Sequence, residues 1–278
     1  MTRDLTFATI LLPLVLLADP AAAQPKITNG RVQTHPAGAA PDQTVRAIVS
    51  QQSEPAWIGY TVPSTGHGRV CCVGCMTDDR GIALETGRPI RLEGPQTLVV
   101  LYRVEERAVQ RVRFFSEDCE LDAGGRTIHW LEGVKPADSV RMLSSFLSRD
   151  DRPSSAAHSA LVAIAMHEDS VAVPALLDAA RQHASPKVRG DALFWLAQKA
   201  GDKAAGAITE RLEQDPDTDV KKRAVFALSQ LPGDEGVPLL IQVAKTSKNA
   251  AVRKQAMFWL GQSHDRRALD FFAEVLTK

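Results

Sequence analysis

Aromatic residues make up only 5% of this 278-residue chain, and its charges cancel, with 33 lysines and arginines against 33 aspartates and glutamates. Balanced charge gives no long-range field to draw in a polyanion, which argues against nucleic acid as a partner. So few aromatics, beside plentiful alanine in the second half, suit closely packed helices better than an all-β chain. The apolar stretch at the start, Phe7 to Ala18, is 12 residues long, short of the roughly 20 that span a bilayer. A cation precedes it and small residues, Ala21 and Ala23, follow it. That order reads as a secretory signal peptide over residues 1–23. An exported protein is expected, periplasmic or extracellular, with no membrane span in the mature chain. Residues 24–43, "QPKITNGRVQTHPAGAAPDQ", have no apolar periodicity and read as a flexible leader.

What is present is a repeat. In rows of 32 residues, "ASPKVRGDALFWLAQ", "DTDVKKRAVFALSQ" and "NAAVRKQAMFWLGQ" superpose with Val188, Val220 and Val252 in one column, and one further step back reaches Ala156. Ala160, Ala192, Ala224 and Ala256 share a second column; Val162, Phe194, Phe226 and Phe258 a third; Ile164, Leu196, Leu228 and Leu260 a fourth. Two later columns hold Leu176, Ile208, Leu240 and Phe272, then Ala180, Leu212, Ala244 and Leu276. All 24 positions are apolar in a chain that is 44% hydrophobic, so the agreement is not chance. Val188, Ala192, Trp195 and Leu196 lie on one helical face. Breakers then separate a second short helix, with Ile208 and Leu212 as its buried pair. Asp219, Asn249 and Ser185-Pro186 are expected helix starts. Each row is a two-helix hairpin that must stack on its neighbour to bury its apolar face. The expected units are 154–185, 186–217, 218–249 and 250–278.

The strings "VKKRAVFALSQLPGDEGVPLLIQVA" and "VRKQAMFWLGQSHDRRALDFFAEVL" resemble the short HEAT-like repeats named after the phycobilisome lyases. The resemblance implies an α-solenoid that serves mostly as a binding scaffold. Deoxyhypusine hydroxylases of this repeat class bind two irons through recurring His-Glu pairs. Here His167-Glu168 stands alone: the matching positions are Lys199-Ala200, Leu231-Pro232 and Ser263-His264, which cannot supply the converging ligands. No di-iron centre is expected, and His167 reads as a helix-end residue. Phe194, Phe226 and Phe258, with Trp195 and Trp259, read as helix packing or as a partner surface. Lys221-Lys222-Arg223 and Arg253-Lys254 read as solvated helix faces.

Before the repeats the period changes. "TVRAIVS", "AWIGYTV", "LVVLYRVEERAVQRVRFFS" and "RTIHWL" read as strands, the third as a hairpin about Glu105-Glu106-Arg107. A small antiparallel β domain over residues 44–134 is expected, followed by a linking and capping helix within 135–153. The fold class is thus α+β, a β domain ahead of four HEAT-like hairpins over 154–278. "AWIGYTVP", the cysteine cluster and "RFFSEDCELDAGGRTIHWLEGV", placed before HEAT-like repeats, also resemble a group of uncharacterised exported bacterial proteins, which lends domain order and no activity.

Cys71, Cys72, Cys75 and Cys119 admit three readings. Zinc needs four ligands, and Cys72 with Cys75 supplies half; only His67 or His129 could join Cys119 to complete the set. A redox CxxC belongs at a helix start, whereas this one sits in a Gly-rich stretch with acids following. Structural disulfides fit an exported chain with an even cysteine count. Two pairings stay open, Cys71–Cys75 with Cys72–Cys119, or Cys72–Cys75 with Cys71–Cys119. Either closes a loop of over 40 residues, worth about 3 to 4 kcal/mol. Asp118 and Glu120 raise the Cys119 thiol pKa, opposite to what a nucleophile needs. Ser116 and His129 come with no GxSxG elbow. The sequence therefore reads as a scaffold or adaptor of the cell envelope with a protein partner, no cofactor, and no assigned catalytic or metal-binding residue. The alternative is an envelope enzyme or metal-binding protein with its site around the four cysteines and His129.

Overall fold

The computed structural model describes residues 24–65, 96–147 and 156–277. The first part holds β1 (Ile27–Thr28), β2 (Arg31–Pro36), α1 (Pro41–Gln51), β3 (Ala56–Pro63), β4 (Thr97–Glu105), β5 (Ala108–Ser116), β6 (Leu121–Asp122) and β7 (Thr127–Glu132). Five strands form one sheet in the order β2-β7-β3-β4-β5, and β1 pairs with β6 apart from it. Strands β3, β4 and β5 are antiparallel neighbours. Strand β7 lies parallel to both β2 and β3. The sheet is therefore mixed, not antiparallel as expected. The reason is α1, which a reading of "TVRAIVS" as a strand misses. Val45, Ile48 and Val49 have the i, i+3, i+4 spacing of a helical face, and Pro41 sits at the helix start. A helical crossover returns the chain in the same direction, so β2 and β3 run parallel with β7 between them.

The expected leader is likewise ordered: β1, β2 and the first turn of α1 fall within residues 24–43. Its polar composition suits β2, an edge strand whose residues are almost all exposed.

Helix α2 (Pro136–Ser144) crosses to the helical half and buries Val140, Met142 and Leu143. Eight helices follow: α3 (Ala156–Ala165), α4 (Asp169–Gln182), α5 (Pro186–Ala200), α6 (Asp202–Gln214), α7 (Thr218–Ser229), α8 (Gly236–Thr246), α9 (Ala250–Gln262) and α10 (Arg266–Leu276). Helices α3, α5, α7 and α9 pack on one another in series, and α4, α6 and α8 each pack on the helix that follows. The alanine column Ala160, Ala192, Ala224 and Ala256 is fully buried, as are Ile164, Leu196, Leu228 and Leu260 within 1%. Burial of each large aliphatic side chain contributes about 1.5–3 kcal/mol. One continuous core joins these columns through α2 to Tyr60, Tyr102 and Val112 of the sheet. The final row departs from the pattern: Leu276 is 84% exposed.

A further column, Ala172, Ala204, Gly236 and Ala268, is buried where each second helix begins. Only small residues allow the two helices of a pair to meet so closely. Among the described residues no helix is long and apolar enough to cross a membrane.

Candidate functional site

The aromatic column forms a line of rings rather than separate contacts. Phe194 of α5 stacks on Phe226 of α7 with centroids 5.5 Å apart and planes 2° from parallel. Phe226 meets Trp259 of α9 at 4.9 Å. Trp195 and Phe258 stand edge-on to this line, against Phe194 at 5.1 Å and Trp259 at 5.0 Å. These rings stay partly accessible while the columns beside them are sealed, and Phe258 is 53% exposed. Phe226 and Trp259 line a groove of about 810 Å³ whose rim carries Lys187, Lys222, Asp217 and Asp219. Offset aromatic pairs add about 0.5–1.5 kcal/mol beyond their buried area, so the line both holds three helices together and presents a ring surface.

Cations fix the geometry around it. Arg189 donates from Nε and Nη2 to both Asp215 carboxylate oxygens at 2.8 and 2.9 Å, and from Nη1 to the carbonyls of His183 and Ala184 at 2.9 Å each. Lys221 donates to the Glu213 carbonyl at 2.8 Å, and Arg253 to the Ser247 carbonyl at 2.7 Å. These three cations share one column at intervals of 32 residues. Each satisfies carbonyls left open at the end of the preceding helix. Lys221 and Arg253 are thus clamps and not merely solvated charges. Burial pushes the Asp215 carboxyl up, but its bonds from Arg189 and the Asp217 N–H hold it below the usual carboxylate range.

Asp191 bonds Arg223 one unit on and Lys187 one turn back. Gly190 makes room for this: a Cβ there would lie 2.1 Å from Arg223 Cδ. At the expected helix starts, Asn249 caps α9 by accepting from the Ala251 and Val252 N–H groups, while α7 is capped by Asp217 rather than Asp219.

The two halves meet over a buried polar chain. His167 follows the end of α3, as expected of a helix-end residue, and is fully buried there. Its Nδ1 lies 2.7 Å from the Ala163 carbonyl and must donate there; Nε2, 2.9 Å from Ser139 Oγ, then accepts. Ser139 in turn accepts from Tyr60 at 3.0 Å, and Tyr60 from Tyr102 at 2.7 Å. One donor direction therefore runs from β4 through β3 and α2 to α3. Burial lowers the His167 pKa and raises both tyrosines. Alongside, Ser64 Oγ and the Thr65 N–H both donate to the Met166 carbonyl at 3.0 Å, tying the exit of β3 to the α3–α4 turn.

The β part separates residues that the sequence left as one candidate site. Cys119 is 2% exposed and packs with Ile128 and Trp130 on one sheet face. His129, between those two in β7, points to the other face. There Nε2 donates to Gln52 at 3.2 Å and Nδ1 accepts from His35 at 3.0 Å. Burial and His35 lower its pKa. A site built jointly on Cys119 and His129 is not assembled. No described cysteine is a free thiol; Cys71, Cys72, Cys75 and His67 lie outside the described residues. Among the described residues no three His, Cys, Asp or Glu side chains are placed to hold a metal ion.

Residues 173–236 and 205–278 match a family model described as HEAT repeats, so the helical half contains such repeats over about its last hundred residues. Comparison with curated proteins gave no match. Among solved structures the chain is similar to human deoxyhypusine hydroxylase in complex with glycerol, at 19% identity and a TM-score of 0.36. That match covers 49% of this chain and 43% of the hydroxylase chain.

Proposed function

We propose that this protein is a non-catalytic adaptor of the cell envelope, which binds a protein partner on the aromatic line of its HEAT repeats. The observation that carries the reading is the partly exposed series Phe194, Phe226 and Trp259 across α5, α7 and α9, beside columns buried to 1% or less. Aromatic side chains supply large contact area at low entropic cost and dominate protein interfaces. The groove beside them has cations and carboxylates on its rim, which suits an extended polypeptide with mixed charge better than a polyanion. In this reading four hairpins of the short HEAT-like form stack from residue 154 onward. Binding assays with a partner captured from envelope extract test it. Phe226→Ala and Trp259→Ala should each weaken binding by about 2 kcal/mol, roughly 30-fold, with helix content unchanged. Binding indifferent to both substitutions would remove this surface from the interface.

Export and the cysteines belong to the same proposal. We read residues 1–23 as a signal peptide and Cys119 as joined to Cys71 or Cys72, which ties the strand end at Ser116 to the cluster. Protein purified from the periplasm should show no reactive thiol under denaturation without reductant, and no bound metal. Titratable thiols together with stoichiometric zinc would reject the staple and favour a metal-binding protein.

A further inference from the structure

A second concavity lies in the other half, away from the aromatic line. Helix α1, the β4–β5 turn and the end of α2 enclose a groove of about 400 Å³. Its walls are apolar: Val45 and Val49 from α1, Val109 from β5, and Met142 and Phe146 from the α2 side. Tyr102 forms part of the lining with its ring against Phe146 at 5.0 Å, while its hydroxyl is turned into the buried chain to Tyr60. The polar lining is dominated by cations, Arg46, Arg107 and Arg141 against the single carboxylate of Asp42.

These cations are not equivalent. Arg46 and Arg141 share Asp42 at 3.2 and 3.4 Å, and Arg141 also pairs with Asp138 at 2.9 Å. Arg107 has no ion-pair partner among the described residues. It sits in a two-residue turn in which Glu106 and Arg107 have φ of 52° and 55°, a region that residues with side chains seldom adopt. Asparagine and glycine would suit that turn better, so the arginine is not there for the turn's sake. An apolar slot with one un-neutralised guanidinium at its edge is complementary to a chain that is apolar along its length and anionic at one end. The volume is at the low end of the ~300–1,000 Å³ typical of small-molecule sites, and walls on three sides exclude the broad contact that a folded partner needs.

We propose that this groove binds a small amphiphile, an acyl chain ending in a carboxylate, with the chain between α1 and Phe146 and the carboxylate on Arg107. The proposal stands apart from the adaptor reading, since it uses none of the aromatic line.

Calorimetric titration of the purified full-length protein with decanoate and with decanol, below their aggregation concentrations, provides the test. Decanoate should saturate one site, and decanol, with the same tail and no charge, should bind about tenfold more weakly, the loss of one charge-assisted hydrogen bond. Arg107→Gln, at an exposed turn, should weaken decanoate by a similar factor and leave decanol unchanged. Val49→Trp, which fills the slot, should remove both. The proposal is overturned if decanoate does not saturate, if decanol binds equally well, or if Arg107→Gln leaves the decanoate affinity unaltered.

Discussion

Replacing Arg189 with alanine is expected to cost about 3–5 kcal/mol of stability, the range for breaking a buried ion pair from one side. The Asp215 side chain is wholly buried and that of Arg189 is 10% exposed. Removal of the guanidinium strands a carboxylate that keeps only the Asp217 N–H within its own loop and the more distant Arg211 at 3.9 Å. The His183 and Ala184 carbonyls lose their donor in the same step. Urea unfolding at neutral pH measures the loss, and the sign of its pH dependence is also determined. The native Asp215 pKa is depressed, so its contribution is present above the ordinary carboxylate pKa of about 3.9 and is lost as pH falls through the native value. Without Arg189, burial dominates and Asp215 binds a proton readily, so the gap between wild type and variant should narrow in acid. A loss under about 1 kcal/mol at pH 7, typical of an exposed pair, would show that the clamp is not buried in solution.

Gly236→Ala should destabilise by about 2–3 kcal/mol, at the upper end for overpacking, although alanine is the better helix former by about 1 kcal/mol. A Cβ at this position would lie 1.8 Å from the Leu228 carbonyl oxygen. That atom belongs to the backbone of α7, so the clash cannot be relieved by a side-chain rotation; α8 must move away from α7. Gly206, exposed within α6, has nothing within 4 Å of its missing Cβ, and Gly206→Ala should stabilise by about 0.5–1 kcal/mol. Thermal unfolding of the two variants side by side separates close approach from helix propensity. If both substitutions stabilise, α7 and α8 are not in contact as described.

The helical half was legible because its signal is covariant in position: the same apolar types return every 32 residues. Two columns with that spacing give little signal, for different reasons. Ala172, Ala204, Gly236 and Ala268 carry little hydrophobic area, so a search for large apolar residues passes over them. Arg189, Lys221 and Arg253 look like solvated charge, which adjacent lysines and arginines usually are, and only the helix ends bring carbonyls to them. The sheet was half legible. Strands β3, β4, β5 and β7 stand out by composition, but strand direction depends on what connects them, and "TVRAIVS" is too short and too β-branched to declare itself a helix. The chain Tyr102, Tyr60, Ser139 and His167 left no sequence signal, because its members come from four elements and meet only through tertiary packing.

The cation clamps bear on how such an array is inherited. The carbonyls that each clamp meets lie five to eight residues before it, about the end of the preceding helix, and Arg189 also reaches forward to Asp215. Duplicating or losing one whole 32-residue unit would bring each surviving clamp to the equivalent helix end of its new neighbour, whereas inserting or deleting a few residues between a cation and its carbonyls would part them. The reach of the array can therefore change between descendants in steps of one hairpin, with no compensating substitutions elsewhere in the chain.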